Sequence, residues 1–345
     1  MRAPAVLASP RMSSVPRGRR CVVLAACAIA TCAPLAVRAQ PADPRGSGRT
    51  FEALPIVLVV PFAPSGAAAR VANVVAELLA KALRRDVQTR SIESRVGVGA
   101  LDAVATPNAN EIRLGYATNT QLIEGTLFGT RDTYNALRDF EWIGVVGALP
   151  NAVVLGPKSG AATFDQWLAT LPKDRTQRWG VGANSSSGHF AAQFLANAAG
   201  LKVELVTFLA ADAAYDALTQ GQIDANFDLL PNAMEEASRG VARIIAVTSK
   251  ARASALPSIP AWGERWPEES FSSLAALAVS LKETEEIRAR LRSGWYTATQ
   301  NPDTRRRLQE IGVVYSGLAL DAAREEVSNE FLRHARLLTR FQSAR

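Results

Sequence analysis

The chain has 345 residues, of which 48% are hydrophobic and 21% are charged, a globular composition long enough for two compact lobes. The formal net charge is +7, but six arginines and no acidic residue lie in residues 1–39. Without those six, the 39 basic residues fall to 33 against 32 acidic ones, so the sequence predicts no nucleic-acid partner.

The N-terminus has the pattern of an export signal. A basic segment, an apolar run over residues 21–37 and a small-x-small cleavage pattern precede Gln40. The run is shorter than the ~20 apolar residues that a membrane-spanning helix needs. Cleavage before Cys27 would instead make the protein a lipoprotein, and the export route, Sec or Tat, stays open. We predict a periplasmic protein with a signal peptide over residues 1–39 and a loose leader over residues 40–53.

Cysteine and histidine are scarce outside this segment. All three cysteines lie within residues 1–39, and the whole chain has two histidines. The exported chain would therefore have no disulfide, no thiolate metal site and no cysteine nucleophile, and it has too few histidines for a three-histidine site. We predict that the protein uses no cofactor and no metal.

The first half of the exported chain alternates strands and helices. Residues 54–62 read LPIVLVVPF, a continuous apolar run typical of a strand that is buried on both faces. Strand–helix alternation of this kind is typical of a parallel sheet with helices on both sides. The predicted elements are a strand over 54–62, a helix over 71–82, a strand over 87–92, a helix over 101–105 and a strand over 111–116.

The second half continues the alternation and ends in a helical tail. The pattern predicts strands over 142–146, 153–155, 179–181, 203–207, 223–227 and 244–248. It predicts helices over 163–171, 190–198 and 211–219, near Met234, and over 286–295, 304–311 and 322–339, the last with Asp321 as N-cap. Two α/β units followed by such a tail predict two lobes: lobe 1 over residues 54–149 and 275–345, and lobe 2 over residues 150–274.

Two loops each lie between a predicted strand and a predicted helix. Pro64–Ala67 follows the first strand, and Asn184–Ser187 follows the strand over 179–181. A helix start leaves up to four backbone N–H groups unpaired at the positive end of the helix dipole, so small residues there let an anion approach. The alternatives are an ordinary turn for the first loop and a helix cap by Ser186 or Ser187 for the second.

Three polar residues near these loops are further candidates. Asp228 lies at the carboxyl end of its predicted strand, where open α/β sheets bind ligands, and the alternative is a cap for the helix after Pro231. Ser187 and His189 could form a hydrolase pair. However, side chains two residues apart at a helix start point in different directions, and the chain has no Gly-x-Ser-x-Gly elbow.

Several blocks of sequence, in the right order, resemble the extracytoplasmic receptors of tripartite tricarboxylate transporters, also called the Bug family. The resemblance covers residues 55–260 in clear register and continues more loosely to the C-terminus. The blocks that carry it are PIVLVVPFAPSG, SIESRVGVGA, LRDFEWIGVV, NAVVLGPKS, WGVGANSSSGHFAAQFL, GQIDANFDLLPNA and IIAVTSKARASALPSIP.

The resemblance implies a two-lobed α/β fold of the type II periplasmic-binding class and a solute-binding function without enzymatic activity. The ligand would be a small organic acid or related solute, with its carboxylate against backbone N–H groups of the two loops. The partners would be membrane permease subunits, and the protein is expected to be a monomer. The residues expected to bind the ligand are Phe62, Pro64, Ser65, Gly66, Ala67, Thr120, Asn184, Ser185, Ser186, Ser187, His189 and Asp228.

The chain departs from the family pattern in the expected ligand loops. The family's Pro-Gly-Gly-(Ala/Ser)-(Thr/Ser)-Asp is replaced here by the segment Pro64–Arg70, which reads PSGAAAR, and its Pro-Tyr-Lys-Gly by Thr207–Ala210, which reads TFLA. Two readings therefore stay open. The protein is either a transport receptor with a more apolar pocket or a receptor that senses a ligand for a membrane signalling partner without transport.

We expect the exported protein to begin at Gln40, because the cleavage pattern directly follows the apolar run. N-terminal sequencing of the exported form measures this. An acylated Cys27 as the first residue would contradict it and identify a lipoprotein.

Overall fold

The computed structural model describes residues 49–128 and 134–342, and the predicted signal peptide lies outside them. Within these residues the strands are β1 (Ile56–Pro61), β2 (Val87–Ile92), β3 (Ile112–Ala117), β4 (Phe140–Leu155), β5 (Gln177–Val181), β6 (Val203–Thr207), β7 (Ala225–Leu229), β8 (Arg243–Val247), β9 (Ser272–Ser280) and β10 (Val314–Ala319). The α-helices are α1 (Ala67–Leu83), α2 (Val98–Ala105), α3 (Asn119–Leu127), α4 (Phe164–Thr170), α5 (Ser187–Ala199), α6 (Ala211–Gln220), α7 (Leu230–Ser238), α8 (Glu285–Thr299), α9 (Pro302–Glu310) and α10 (Leu320–Gln342).

The strands form two groups that share β4. The order of paired strands is β2-β1-β3-β9-β4-β7-β5-β6, and β10 and β8 also pair with β4. The first part of β4, residues 140–150, pairs with β9 and β10, and residues 151–155 pair with β7 and β8. The pairs β1–β2, β1–β3, β5–β6 and β5–β7 are parallel, as strand–helix alternation predicts.

Strand β4 corrects the sequence interpretation, which divided it into strands over 142–146 and 153–155. In the structure the strand continues through Gly147 and Pro150, and its register with β9 shifts between Trp142 and Gly144 and between Val145 and Gly147, as at β-bulges. Gly147 has a φ of +157°, and a Cβ there would lie 2.3 Å from the carbonyl oxygen of Val314 on β10. Glycine at this position therefore lets β10 approach β4 closely.

Helices cover both faces of the first strand group, so β1, which lies between β2 and β3, is apolar throughout. Ile56, Leu58 and Val60 of β1 belong to the core cluster that includes α1 and α8. Val57 and Val59 belong to the cluster on the opposite face with α2, α3 and α10. This burial on both faces explains why β1 has no polar alternation.

The second strand group packs around aromatic side chains. Trp179 of β5 is fully buried, with its ring centroid 5.5 Å from that of Trp167 and 5.2 Å from that of Phe227. Aromatic pairs at such distances contribute about 0.5–1.5 kcal/mol beyond their buried area. Trp262 completes this core and is 1% exposed.

The C-terminal helices contact several parts of the chain. α8 packs against α1 and β4, and α9 packs against β10 and α1. α10 contacts α3 and β4, while its Phe341 stacks on Phe190 of α5 at 5.7 Å between ring centroids. The N-cap prediction for Asp321 is wrong: α10 starts directly after β10 at Leu320, so Asp321 lies in the first turn.

The sequence pattern did not predict β9 or β10. β9 reads SSLAALAVS, and its small residues have little strand propensity. It is a strand because it pairs with β3 and β4 on its two sides, where all nine residues are buried. No helix within residues 49–128 and 134–342 has the length and apolar character to span a membrane.

We predict that Gly144→Ala destabilises the fold. A Cβ at Gly144 would lie 2.1 Å from Nε1 of the buried Trp295, which donates a hydrogen bond to the carbonyl of Leu318. Forcing this ring aside costs about 1–3 kcal/mol of unfolding free energy. Urea unfolding measures the change, and Gly160→Ala is the control because no atom lies within 4 Å of its added Cβ. Equal stability of the two variants would contradict the prediction.

Candidate ligand-binding cleft

Five helices begin at one cleft that both strand groups line. Each of α1, α3, α5, α6 and α7 contributes its N-cap or first-turn residues to the walls. Helix N-termini carry unpaired N–H groups and a partial positive charge. The lining residues are Phe62, Ala63, Ser65–Ala68, Thr118, Thr120, Asn151, Val181–Ala183, Ser186–Gly188, Phe208–Ala211, Ala214, Asn226–Leu229, Asn232 and Ser273.

The cleft has a volume of about 170 Å³. An engineered cavity of about 150 Å³ holds benzene, so this cleft has room for a small organic molecule. Phe62, Phe208, Leu209 and several alanines make most of its surface apolar. Asp228 is the one ionisable side chain among the lining residues, and no Lys, Arg or His lines the cleft within the described part of the chain.

The β1–α1 loop brings backbone N–H groups to the cleft. Phe62 turns the chain after β1 with a φ of +70°, which is uncommon for a residue other than glycine. Gly66 is the N-cap of α1, and no side chain caps the helix. The first-turn residues Ala67, Ala68 and Ala69 are buried. Their amides therefore lie at the positive end of α1, where an anion can accept from them.

The β5–α5 loop is built around serine. Ser186 caps α5, because its Oγ accepts from the amide of His189 at 3.2 Å. Ser187 accepts a hydrogen bond from Nδ2 of Asn151 at 3.0 Å and lines the cleft. Ser185 points elsewhere and donates to Oε1 of Glu124 on α3 at 2.5 Å. The cap alternative for Ser186 is therefore observed, and its hydroxyl hydrogen is left for a ligand.

His334 of α10, which the sequence interpretation did not select, positions this loop. Its Nε2 lies 2.8 Å from the carbonyl oxygen of Ser185, and its Nδ1 lies 3.0 Å from Nδ2 of Asn119. Asn119 accepts the amide of Leu274 at Oδ1, so its Nδ2 is the donor towards His334. Burial lowers the pKa of His334, which favours the neutral ring that donates from Nε2 to Ser185.

The β7–α7 junction supplies acceptors instead of donors. Oδ1 of Asp228 accepts from the amide of Leu229 at 2.7 Å and from Nδ2 of Asn232 at 3.1 Å. The alternative of a helix cap by Asp228 is not observed, because Leu229 is the N-cap and no side chain caps α7. Oδ1 of Asn232 is buried without a hydrogen-bond partner among the described residues. Oδ2 of Asp228 and the hydroxyl of the nearby Tyr215 are also buried, and neither makes a hydrogen bond of normal geometry there.

Burial of Asp228 changes its acidity. It raises the pKa of this carboxyl to about 6, although hydrogen bonds from Asn232 and the Leu229 amide, the nearby Tyr215 hydroxyl and the charge of Arg70 oppose the rise. Arg70 pairs with Glu235 and does not line the cleft. The carboxyl group therefore has no cationic side chain beside it in the cleft.

Most of the expected ligand-binding residues line this cleft. Four do not: Pro64, Asn184, Ser185 and His189, of which Asn184 and His189 line a separate polar groove. The residues brought together in the cleft are Phe62, Ser65, Gly66, Ala67, Thr120, Ser186, Ser187 and Asp228.

Sequence reasoning missed other lining residues. Phe208 and Leu209 directly follow the carboxyl end of β6. Because open α/β sheets bind ligands beyond such strand ends, the sequence could have predicted these two residues. Asn151 and Ser273 lie on β4 and β9, and their position in the cleft depends on strand pairing that no local pattern shows.

Ser187 and His189 do not share the cleft. Ser187 lines it and bonds Asn151, whereas His189 lines the separate groove with Gln193 and Asn197. This arrangement gives no support to the hydrolase interpretation. Within the described ranges, no group of three His, Cys, Asp or Glu side chains could hold a metal ion.

Solved structures define the class of this fold. Rpa4515 of R. palustris, solved with adipate, is 20% identical with a TM-score of 0.74, covering 84% of this chain and 97% of that one. MatC of Rhodopseudomonas palustris, solved with bound malate, is 19% identical with a TM-score of 0.70, covering 84% and 100%. The fold is therefore that of two-lobed periplasmic binding proteins.

The sequence comparison assigns the family. Residues 71–339 match the model of the tripartite tricarboxylate transporter family receptor, so the chain belongs to that family. A UPF0065 protein in the ttuE–ttuC′ intergenic region of Agrobacterium vitis is 26% identical over 272 residues, 77% of either chain. The resemblance found in the sequence blocks is confirmed.

We predict that Asp228→Asn gains stability relative to the wild type as the pH rises from about 4 to about 6. The folded pKa of Asp228 lies above its usual 3.8, so the folded state binds more protons in this window. The free energy of unfolding of the wild type therefore falls by about 1–3 kcal/mol as the pH rises from about 4 to about 6. The charged or titratable neighbours Arg70, Tyr215 and Glu236 remain in both proteins.

Urea unfolding at several pH values compares the two proteins. A stability difference that stays constant from pH 4 to pH 7 would show that the Asp228 carboxyl is not perturbed.

Proposed function

We propose that the protein captures a small carboxylate-bearing molecule in this cleft and delivers it to the membrane permease of a tripartite tricarboxylate-type transporter. The observation that carries the proposal is the meeting of five helix N-termini in one small cleft without a lysine, arginine or histidine. Backbone N–H groups at helix ends bind carboxylates without a cationic side chain.

The carboxylate binds between the β1–α1 and β5–α5 loops. Ala67 and Ala68 offer uncapped amides there, and Ser186 and Ser187 offer hydroxyl groups. Backbone donors do not depend on side-chain identity, which is how the site tolerates the loss of the family's loop residues. The adipate and malate found in two proteins of this fold support a carboxylate ligand.

The cellular setting follows from the same proposal. Residues 1–39 direct export, and the protein works as a periplasmic monomer that performs no chemistry on its solute. The ligand is enclosed between lobe 1, residues 54–149 and 275–345, and lobe 2, residues 150–274. Family membership supports the transport role, and the separation of Ser187 from His189 supports the absence of hydrolysis.

The variant Gly66→Val tests whether the ligand carboxylate binds the backbone amides at the start of α1. The N-cap φ of −80° suits any residue, and an added Cβ makes only an ordinary 3.4 Å contact with the carbonyl of Ala63. The fold should therefore persist, while the branched side chain covers the α1 amides. Loss of a hydrogen bond to a charged group costs about 1.5–3 kcal/mol, so we expect at least about tenfold weaker binding.

Native mass spectrometry of the freshly purified protein identifies a retained ligand, and calorimetry then compares affinities. Gly160→Val is the matched control, because Gly160 lies outside the cleft with open space around it. Unchanged affinity in Gly66→Val would place the carboxylate elsewhere.

A further inference from the structure

The cleft contains buried polar atoms that the protein itself leaves unpaired. Within the described residues, Oδ1 of Asn232 is an acceptor without a partner and Nδ2 of Asn226 is a donor without one. Oδ2 of Asp228 has only the nearby hydroxyl of Tyr215, which makes no hydrogen bond of normal geometry with it. Asn226 and Asn232 are 2% and 6% exposed, and all three residues line the cleft. Buried polar groups are nearly always hydrogen-bonded in native structures, so a bound molecule is the natural partner for this set.

The amide orientation of Asn232 follows from its neighbour. Its Nδ2 lies 3.1 Å from Oδ1 of Asp228, and an ionised carboxylate can only accept hydrogen bonds. Nδ2 is therefore held by Asp228, and the free atom of the amide is its oxygen. Together, Asp228 and Asn232 present two acceptors to the cleft and no donor.

The charge balance of the cleft favours a cationic partner for these acceptors. Asp228 is the one ionisable residue among the described residues that line the cleft, and the nearby Arg70 is paired with Glu235 on α7. A carboxylate placed against Asp228 would meet a like charge and two acceptors in a desolvated site, which is strongly unfavourable. An ammonium group would instead donate to both oxygens and neutralise the charge.

Resting on the proposed function, we infer that the ligand is a zwitterionic monocarboxylate: its carboxylate binds the α1 and α5 N-termini and its ammonium group binds the Asp228–Asn232 acceptor pair. The body of the ligand lies against Phe62, Phe208 and Leu209, which supply apolar surface between polar groups. A second carboxylate on the ligand lowers affinity. In this arrangement Asp228 and Asn232 determine which ligand binds, because their oxygens accept hydrogen bonds from an ammonium group and not from a second carboxylate.

Calorimetry with matched pairs of acids tests this at neutral pH. The dicarboxylates are succinate, glutarate and adipate, and their amino counterparts of equal chain length are γ-aminobutyrate, δ-aminovalerate and ε-aminocaproate. Because the amino acid alone satisfies the acceptor pair, we expect the best-fitting amino acid to bind at least about tenfold more tightly than its dicarboxylate. A wild-type protein that prefers the dicarboxylate in every pair would overturn the inference.

Asp228→Asn is the decisive variant, because it keeps the size of the side chain and removes its charge. We expect it to lose the preference for the amino acid by at least about tenfold and to gain affinity for the dicarboxylate. Asp224→Asn is the matched control: Asp224 bonds Arg175 and the amide of Arg178 outside the cleft, so the preference should stay.

The two proposals fail in different ways. If Gly66→Val weakens binding of a carboxylate but Asp228→Asn leaves the preference unchanged, the carboxylate anchor stands and the ammonium subsite is wrong. If no member of either series binds and no ligand is retained on purification, the proposed function and this inference fail together.

Discussion

Strand β4 is the element on which the geometry of the cleft depends. It pairs with β9 and β10 over its first eleven residues and with β7 and β8 over the rest, so one continuous backbone belongs to both strand groups. Asn151 lies at the point where β4 changes its pairing partners. The side chain of Asn151 donates hydrogen bonds to Ser187 and to the carbonyl of Phe271. The floor of the cleft and the start of α5 are therefore held by the same residue.

Contacts across the cleft fix its loops relative to one another. Glu124 of α3 accepts from Ser185, and Arg70 of α1 pairs with Glu235 of α7. His334 holds the carbonyl of Ser185 from α10. The bond from His334 is buried and therefore costly to leave unsatisfied, whereas the other two links are partly exposed. Under the proposed function, links that hold the helix N-termini in place would limit the entropy lost on binding.

In the proposed binding mode, the cleft would use backbone groups, which do not depend on the side chains present, and side-chain groups, which do. The donors of α1 belong to the backbone, so small residues such as Ala67 and Ala68 suffice there. The acceptors of Asp228 and Asn232 belong to side chains, and a single substitution changes them. On this proposal, the altered loop residues are compatible with the family scaffold because a carboxylate needs only a helix start, and selectivity would come from the few side chains around the apolar walls.

The sequence by itself determined the local elements and the family. A continuous apolar run predicted β1, and helical spacing predicted α1. The loops after β1 and β5 were recognisable because a strand and a helix flank each one. Short-range patterns could not show that β4 is one strand, that the alanine-rich β9 pairs on both sides, or that His334 reaches Ser185. Tertiary structure decided these features, and with them which atoms of Asn226 and Asn232 remain unpaired, because strand pairing and helix packing join residues that are far apart in the chain.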